Sequence, residues 1–355
     1  MNIGARRIGA GHRPYVIAEL GVNHDGDAGR AMELTRAASW AGADAVKLQY
    51  FRADTLMSGA AGLAGYQRRA GERDPREMLR RLELEPGAMG EVVGLAHRLG
   101  MHAIVTVFSL GLVGEIDRIP WDAYKTASPD LIHRPLLERV SASGRPMIVS
   151  TGAATPAEIT RAVGWLAGAR DRTALLQCVS SYPASMEDAE LGVIPSFAPL
   201  GVAAVGYSDH TREVETGALA VEHGAVILEK HLTLSRSAPG PDHAASLEPE
   251  GMRTYIALAR NARVKPDLPA RPKRVLPCEE DVRRLSRQSV VARRAIRAGE
   301  VIRREDLEFK RPGTGVPPFM VDRVAGARAV RDIPADAPIE ASAIHPWITP
   351  ISEAA

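Results

Sequence analysis

Eight short apolar runs recur between residues 15 and 232: YVIAEL (15–20), AVKLQY (45–50), HAIVTV (102–107), AYKTA (123–127), MIVST (147–151), ALLQCV (174–179), AAVGYS (203–208) and VILEKHL (226–232). Most are nearly continuously apolar, as strands buried on both faces must be. Amphipathic stretches separate them. Residues 28–41, 86–99, 155–167 and 212–223 each carry a helical repeat, and each is followed by a glycine, at Gly42, Gly100, Gly168 and Gly224. In the first of these, Met32, Leu34, Ala38 and Trp40 are expected on the buried face. Thr155-Pro156-Ala157-Glu158 opens the third with a capping hydroxyl, a proline and an acid in the first turn. Strand and helix alternating over about 250 residues predicts an α/β fold, a (β/α)8 TIM barrel. An open doubly wound sheet is the alternative, but ELGVNHDG (19–26) lacks the glycine fingerprint that sheet would carry after its first strand.

The pattern changes after residue 262. ARVKPDLPARPKRVLP (262–277) is rich in proline and basic residues, as linkers are. From 286 onward the runs are short and β-like, and the style of SVVARRAIRAGEVIRREDLEFKRPG partly repeats over 325–345. The expected organisation is a barrel domain over 1–262 with an N-terminal hairpin at 1–14, a linker at 263–285, a compact β-rich module at 286–347 and a tail at 348–355.

Composition narrows the partners. The 45 basic and 43 acidic side chains leave a net charge of +2, and aromatic residues make up 5%. A balanced surface with few stacking platforms argues against nucleic acid. No run approaches the ~20 apolar residues of a membrane helix. The N-terminus has no apolar signal core, and two cysteines, Cys178 and Cys278, make no framework. A cytoplasmic protein is expected.

Strand C-termini are where α/β enzymes keep their chemistry. AAVGYSDHT (203–211) and AVILEKHLT (225–233) are apolar runs that each end in a histidine, His210 and His231, and PGPDH (239–243) adds Asp242. A lone histidine at a strand end is usually a satisfied side chain. Two in successive strands point to a divalent metal, for which neutral imidazole is the commonest ligand. The remaining strand ends offer Glu19, Asn23, Lys47, Gln49, Thr106, Lys125, Ser128, Ser150, Thr151, Ser180, Tyr182, Ser208, Glu229 and Lys230. Lysines inside apolar strands need anionic partners. Lys47 and Lys125 are therefore either paired with structural carboxylates such as Asp44 or Asp130, phosphate contacts, or Schiff-base amines. Together these residues predict a metal-assisted lyase or synthase acting on an anionic compound.

Six segments in order resemble the sialic acid (nonulosonic acid) synthase family: IAELGVNHDGDAGRAMELTRAASWAGADAVKLQYF (17–51), KTASPDL (125–131), STGAAT (150–155), QCVSSYPA (177–184), GYSDHT (206–211) and EKHLTLSRSAPGPDHAASLEPE (229–250). The C-terminal module resembles that family's antifreeze-like (SAF) domain. The resemblance implies condensation of phosphoenolpyruvate with an N-acyl-mannosamine-type aldose and water, giving a nine-carbon 2-keto acid and phosphate. It implies Mn²⁺ or Mg²⁺ on His210 and His231. Lys47, Thr106, Lys125, Ser128, Ser150 and Ser208 would contact phosphoenolpyruvate, and Glu19, Gln49, Tyr182 and Asp242 would lie around the sugar. Asp130 would handle protons. Arg311, in KRPGTG (310–315), would reach the sugar's acyl group from the module of a partner subunit, in a domain-swapped homodimer. Pro129 departs from the family's usual glycine and Val107 from a common proline. The chain lacks the His-Thr-Pro-Trp type of segment associated with pseudaminate synthases, and 66–84 lines up with neuraminate and legionaminate synthases. A pyruvate aldolase using a lysine Schiff base and a non-catalytic sugar-binding homologue are the alternatives.

Overall fold

A computed structural model describes residues 1–346. Residue 347 and the expected tail at 348–355 lie outside the described residues. Eight parallel strands close into a barrel: β1 (Tyr15–Glu19), β2 (Ala45–Tyr50), β3 (His102–Val107), β4 (Ala123–Thr126), β5 (Met147–Ser150), β6 (Thr173–Cys178), β7 (Ala204–Asp209) and β8 (Ile227–His231). Each pairs with the next in sequence, and β8 closes onto β1 with His231 opposite Glu19. This is the TIM barrel that the alternating pattern predicts. A short hairpin, Asn2–Ile3 with Arg6–Arg7, precedes it.

Side chains alternate across each strand, and the two rows differ in kind. The inward row begins apolar, with Tyr15, Ile17, Ala45, Ile104, Ile148, Ala174 and Ile227 filling the lower barrel. Toward the C-terminal ends the same rows turn polar, at Glu19, Lys47, Thr106, Lys125, Ser150, Ser208 and Glu229, all buried. The outward row packs against helices, among them α1 (Ala28–Ala41), α2 (Pro156–Trp165) and α3 (Pro249–Asn261). Asp27 caps α1, and Thr155 with Glu158 forms a capping box on α2.

Three expectations need correction. Trp40 lies on the outer surface of α1, half exposed, with the Arg253 guanidinium 5.0 Å from its ring. The connection from β6 to β7 is no α-helix but a 3-10 stretch, Leu191–Leu200, interrupted by Pro195 and Pro199, which cannot donate to a helical ladder. The stretch expected as a linker is docked from Lys273 onward and contains a helix, α4 (Glu280–Ser286).

The C-terminal module pairs β9 (Ser289–Ala292) with β10 (Leu307–Lys310) and β11 (Arg328–Ala329) with β12 (Ile344–His345). Val290, Ile302, Phe309, Val324 and Ile339 form its own small core. The module sits over the C-terminal mouth of the barrel. Arg311 bridges to Met57, its N–H donating to Leu56 O (2.8 Å) and its carbonyl accepting from Ser58 (3.0 Å). Among the described residues, no helix is long and apolar enough to cross a membrane.

Candidate active site

The polar ends of the inward rows line one cavity of about 900 Å³ including its open mouth. Glu19, Lys47, Gln49, Thr106, Lys125, Ser128, Ser150, Ser180, Tyr182, Ser208, His210, His231, Asp242 and Arg311 all face it. Of the residues with an expected role toward substrate, metal or protons, only Asp130 does not.

Two buried lysines organise the floor. Lys47 forms a very close pair with Glu19, lies 3.8 Å from Glu229, and donates to Thr106 Oγ1 (3.2 Å). Lys125 lies 3.5 Å from Glu229 and donates to Ser150 Oγ (2.5 Å) and the Thr126 carbonyl (3.1 Å). Ser208 donates to Glu229 at 2.9 Å. The compensating anions are therefore Glu19 and Glu229, not Asp44 or Asp130. Asp44 instead meets Arg13 and Arg260 near the opposite end of the barrel. Glu229 was offered as a strand-end residue with no role assigned, and strand parity supplies one: it lies two residues before His231, on the same face of β8.

The two cationic neighbours separate the two carboxylates in acidity. Burial pushes Glu19 up to about 7, opposed by Lys47 and reinforced by Glu229. Glu229 is equally buried, but Lys125 and Lys47 together hold it at about 2. Burial lowers Lys125 below its ordinary value. The floor thus holds one firm carboxylate, and one that exchanges a proton near neutrality.

His210 and His231 face each other with ring centroids 5.5 Å apart, and Tyr182 stacks on His210 at 4.1 Å. His210 Nδ1 lies 2.7 Å from the Val179 carbonyl. Since that oxygen only accepts, Nδ1 carries a proton, and against the pull of burial Cys178 and the Val179 carbonyl raise His210 above its ordinary value. Burial, with His210 and Lys47 nearby, holds His231 well below its usual range and hence neutral. Its Nδ1 is buried without a hydrogen-bond partner, with Asp242 at 3.8 Å. Among the described residues no three His, Cys, Asp or Glu side chains converge as a closed metal cage. An imidazole pair with one orphaned nitrogen fits a divalent ion held by few protein ligands, its other positions left to water and substrate.

Behind this pair the outward row is equally ordered. Asp209 and Lys230, each one residue before a cavity histidine, are cross-strand partners joined at 3.0 Å with no exposure.

Asp130 stands behind the wall, fully buried in the 3-10 turn Ser128–Ile132, its Oδ1 accepting from Gln288 at 3.0 Å. Burial raises it to about 7, with the nearby Arg311 opposing. Pro129 falls in the first turn of this helix, where its fixed φ is at home. Arg311 enters the cavity from the module of the same chain, 5.4 Å from the Phe108 ring. Tyr66, stacked on Tyr182 at 4.8 Å, also lines the cavity. It lay in a polar stretch that carried no strand-end signal.

Comparison with known proteins matches residues 34–265 to the NeuB family and residues 287–344 to the SAF domain. The chain is 36% identical over 332 residues to N,N'-diacetyllegionaminic acid synthase of Legionella pneumophila, covering 92% of this chain and 93% of that one. It is 30% identical over 334 residues to mouse N-acetylneuraminate-9-phosphate synthase, covering 93% and 92%. Among solved structures, the Bacillus subtilis spore coat polysaccharide biosynthesis protein SpsE superposes with a TM-score of 0.82 at 29% identity, over 97% of this chain and 98% of that one.

Proposed function

The chain belongs to the NeuB family, and we propose that it condenses phosphoenolpyruvate with an N-acylated amino-aldose and water, giving a nine-carbon 2-keto sugar acid and phosphate. The observation that carries this reading is the meeting, in one covered cavity, of an anion cradle and an imidazole pair.

Phosphoenolpyruvate brings two anionic groups. Lys47 and Lys125 answer them, with Thr106, Ser128, Ser150 and Ser208 donating to the oxygens. The sugar fits between Tyr182, Gln49 and Asp242, with Arg311 above it for the acyl oxygen. The methylene carbon of phosphoenolpyruvate attacks the aldehyde carbon, and the former enol carbon becomes electron-poor. Water adds there, and its proton has an acceptor in ionised Glu19. The resulting tetrahedral carbon expels phosphate by C–O cleavage. A divalent ion, Mn²⁺ or Mg²⁺, held by His210 and His231 would supply Lewis-acid polarisation of the aldehyde oxygen. Lys125 already has acceptors in Ser150 and Glu229 and serves as an anion contact, not a Schiff-base amine.

The module covers the mouth within one chain. The swapped homodimer belongs to this reading as an exchange of the same contacts between two chains, and sedimentation giving only monomer would remove it.

The direct test is phosphate release from phosphoenolpyruvate with Mn²⁺, comparing N-acetylmannosamine with 2,4-diacetamido-trideoxymannose, with and without EDTA. The 36% identity to a legionaminate synthase favours the diacetamido sugar. Release that depends on one sugar and stops with EDTA is expected. No release with either sugar would overturn the assignment, and borohydride trapping of a pyruvate adduct would replace it with the aldolase.

A further inference from the structure

The segment between barrel and module is chemically tied to the phosphate side of the cavity at one point. Glu279 has no exposure. Its Oε1 accepts from two backbone amides on different barrel loops, Ala153 after β5 (2.6 Å) and Ser180 after β6 (2.8 Å). Its Oε2 accepts from Leu276 within the segment (3.0 Å). The Ala153 carbonyl is held from the same segment, by Arg283 Nη1 in a very short contact and by Arg287 Nη2 at 3.1 Å. Ala153 lies in the left-handed region at φ 51°, uncommon for a residue with a Cβ. Both polar groups of this strained residue find partners in the segment.

What those loops carry is the hydroxyl cluster. Gly152 N–H donates to Ser128 Oγ at 2.9 Å. A Cβ on Gly152 would fall 2.3 Å from Ser180 Oγ and 2.7 Å from Ser128 Oγ, so the backbone there touches both hydroxyls. Glu279 therefore clamps residues on either side of the point where three loops meet.

We infer that Glu279 is a positioning residue for the anionic substrate: by joining the β5 and β6 loops it sets Gly152, Ser128 and Ser180 for phosphate, although it never touches the substrate. The inference rests on the function proposed above. It makes the inter-domain segment part of the phosphate site, so docking of that segment and affinity for phosphoenolpyruvate are one property.

Full-length Glu279→Ala and Glu279→Gln, titrated calorimetrically with phosphoenolpyruvate, test this without turnover. In Glu279→Ala two buried amides lose their acceptor, and binding should weaken roughly tenfold to a hundredfold. In turnover the KM for phosphoenolpyruvate should rise while the sugar's KM stays put. Glu279→Gln keeps an Oε1 for both amides and should recover most of the affinity. Unchanged binding in a folded Glu279→Ala overturns the inference. So does an equal rise in both KM values, or a Glu279→Gln as weak as alanine. If alanine prevents folding, Glu279→Asp carries the same test, with the carboxylate withdrawn by one methylene. A wild type that binds phosphoenolpyruvate but makes no keto acid would sink the reaction and leave the clamp testable; one that does not bind it sinks both.

Discussion

Replacing Lys230 by methionine isolates the outward-facing ion pair. Lys230 is fully buried, 3.0 Å from Asp209, and also donates to the Thr211 carbonyl (2.7 Å) and, more weakly, to Thr211 Oγ1 (3.2 Å). Its Nζ lies 5.3 Å from the Tyr255 ring. Methionine keeps the stem and removes the charge, leaving the Asp209 carboxylate buried on its hydrogen bonds from Thr211 and Thr216 without a cation. Stranding one member of a buried pair costs about 3–5 kcal/mol. At about 2.1 cal/mol/K per residue over roughly 260 barrel residues, that lowers the melting temperature by about 5–9 °C. Asp209→Asn should cost less, because Lys230 keeps the Thr211 and Glu213 carbonyls as acceptors. His210 and His231 directly follow the pair, so kcat should fall about tenfold or more as the imidazoles shift, while calorimetry still shows a single folded state. Scanning calorimetry and phosphate release on both variants decide it. A Lys230→Met protein that melts within about 1 °C of wild type with normal turnover would refute the claim that this pair holds the two strand ends.

His210→Ala or His231→Ala should abolish turnover with little change in melting, since both stand at the cavity mouth; near-native activity in either removes the proposed metal pair. Arg311→Ala should raise the sugar's KM more than that of phosphoenolpyruvate, and an unchanged sugar KM would count against its contact with the acyl group. Burial raises Asp130 to about 7, so its ionisation opposes folding. The stability its neutral form provides is intact below the ordinary value of about 3.9 and is lost as pH rises through about 7. Asp130→Asn should therefore be the more stable protein at pH 8, by on the order of 3 kcal/mol, with the difference shrinking toward pH 4 in denaturant titrations. A constant difference across that range would show that Asp130 does not titrate as described.

The strands were legible because burial on both faces leaves an almost uninterrupted apolar run, and AVKLQY and HAIVTV coincide with β2 and β3 to the residue. The candidate site was legible for the same reason: polar residues inside such runs have few explanations other than a cavity at the strand ends. Glu229 stood among the strand-end residues, and parity alone puts it on the cavity face with His231. Other features depended on contacts that no local pattern encodes. Trp40 fits the apolar stripe of its helix, yet Arg253 from a distant helix covers its ring at the surface. The expected linker at 263–285 is docked from Lys273 onward because polar side chains there and just beyond find buried partners in the folded barrel. Lys273 donates to Gln177 and the Cys178 carbonyl, and Gln288 to Asp130. Asp130 was expected in the cavity from the resemblance alone; the tight turn Ser128–Ile132 directs it behind Ser128 and Pro129, which do line the cavity.

The alternation along β7 and β8 also makes the barrel self-checking as it forms. Sliding either strand by one residue would turn a histidine toward the helix layer and drive Asp209 or Lys230 into the cavity, separating the two from each other. Such a mispaired barrel would lose an imidazole from the cavity and strand a bare charge in the apolar layer at the same time. A one-residue slip of either strand thus costs the cavity its imidazole and the barrel its buried pair in one event.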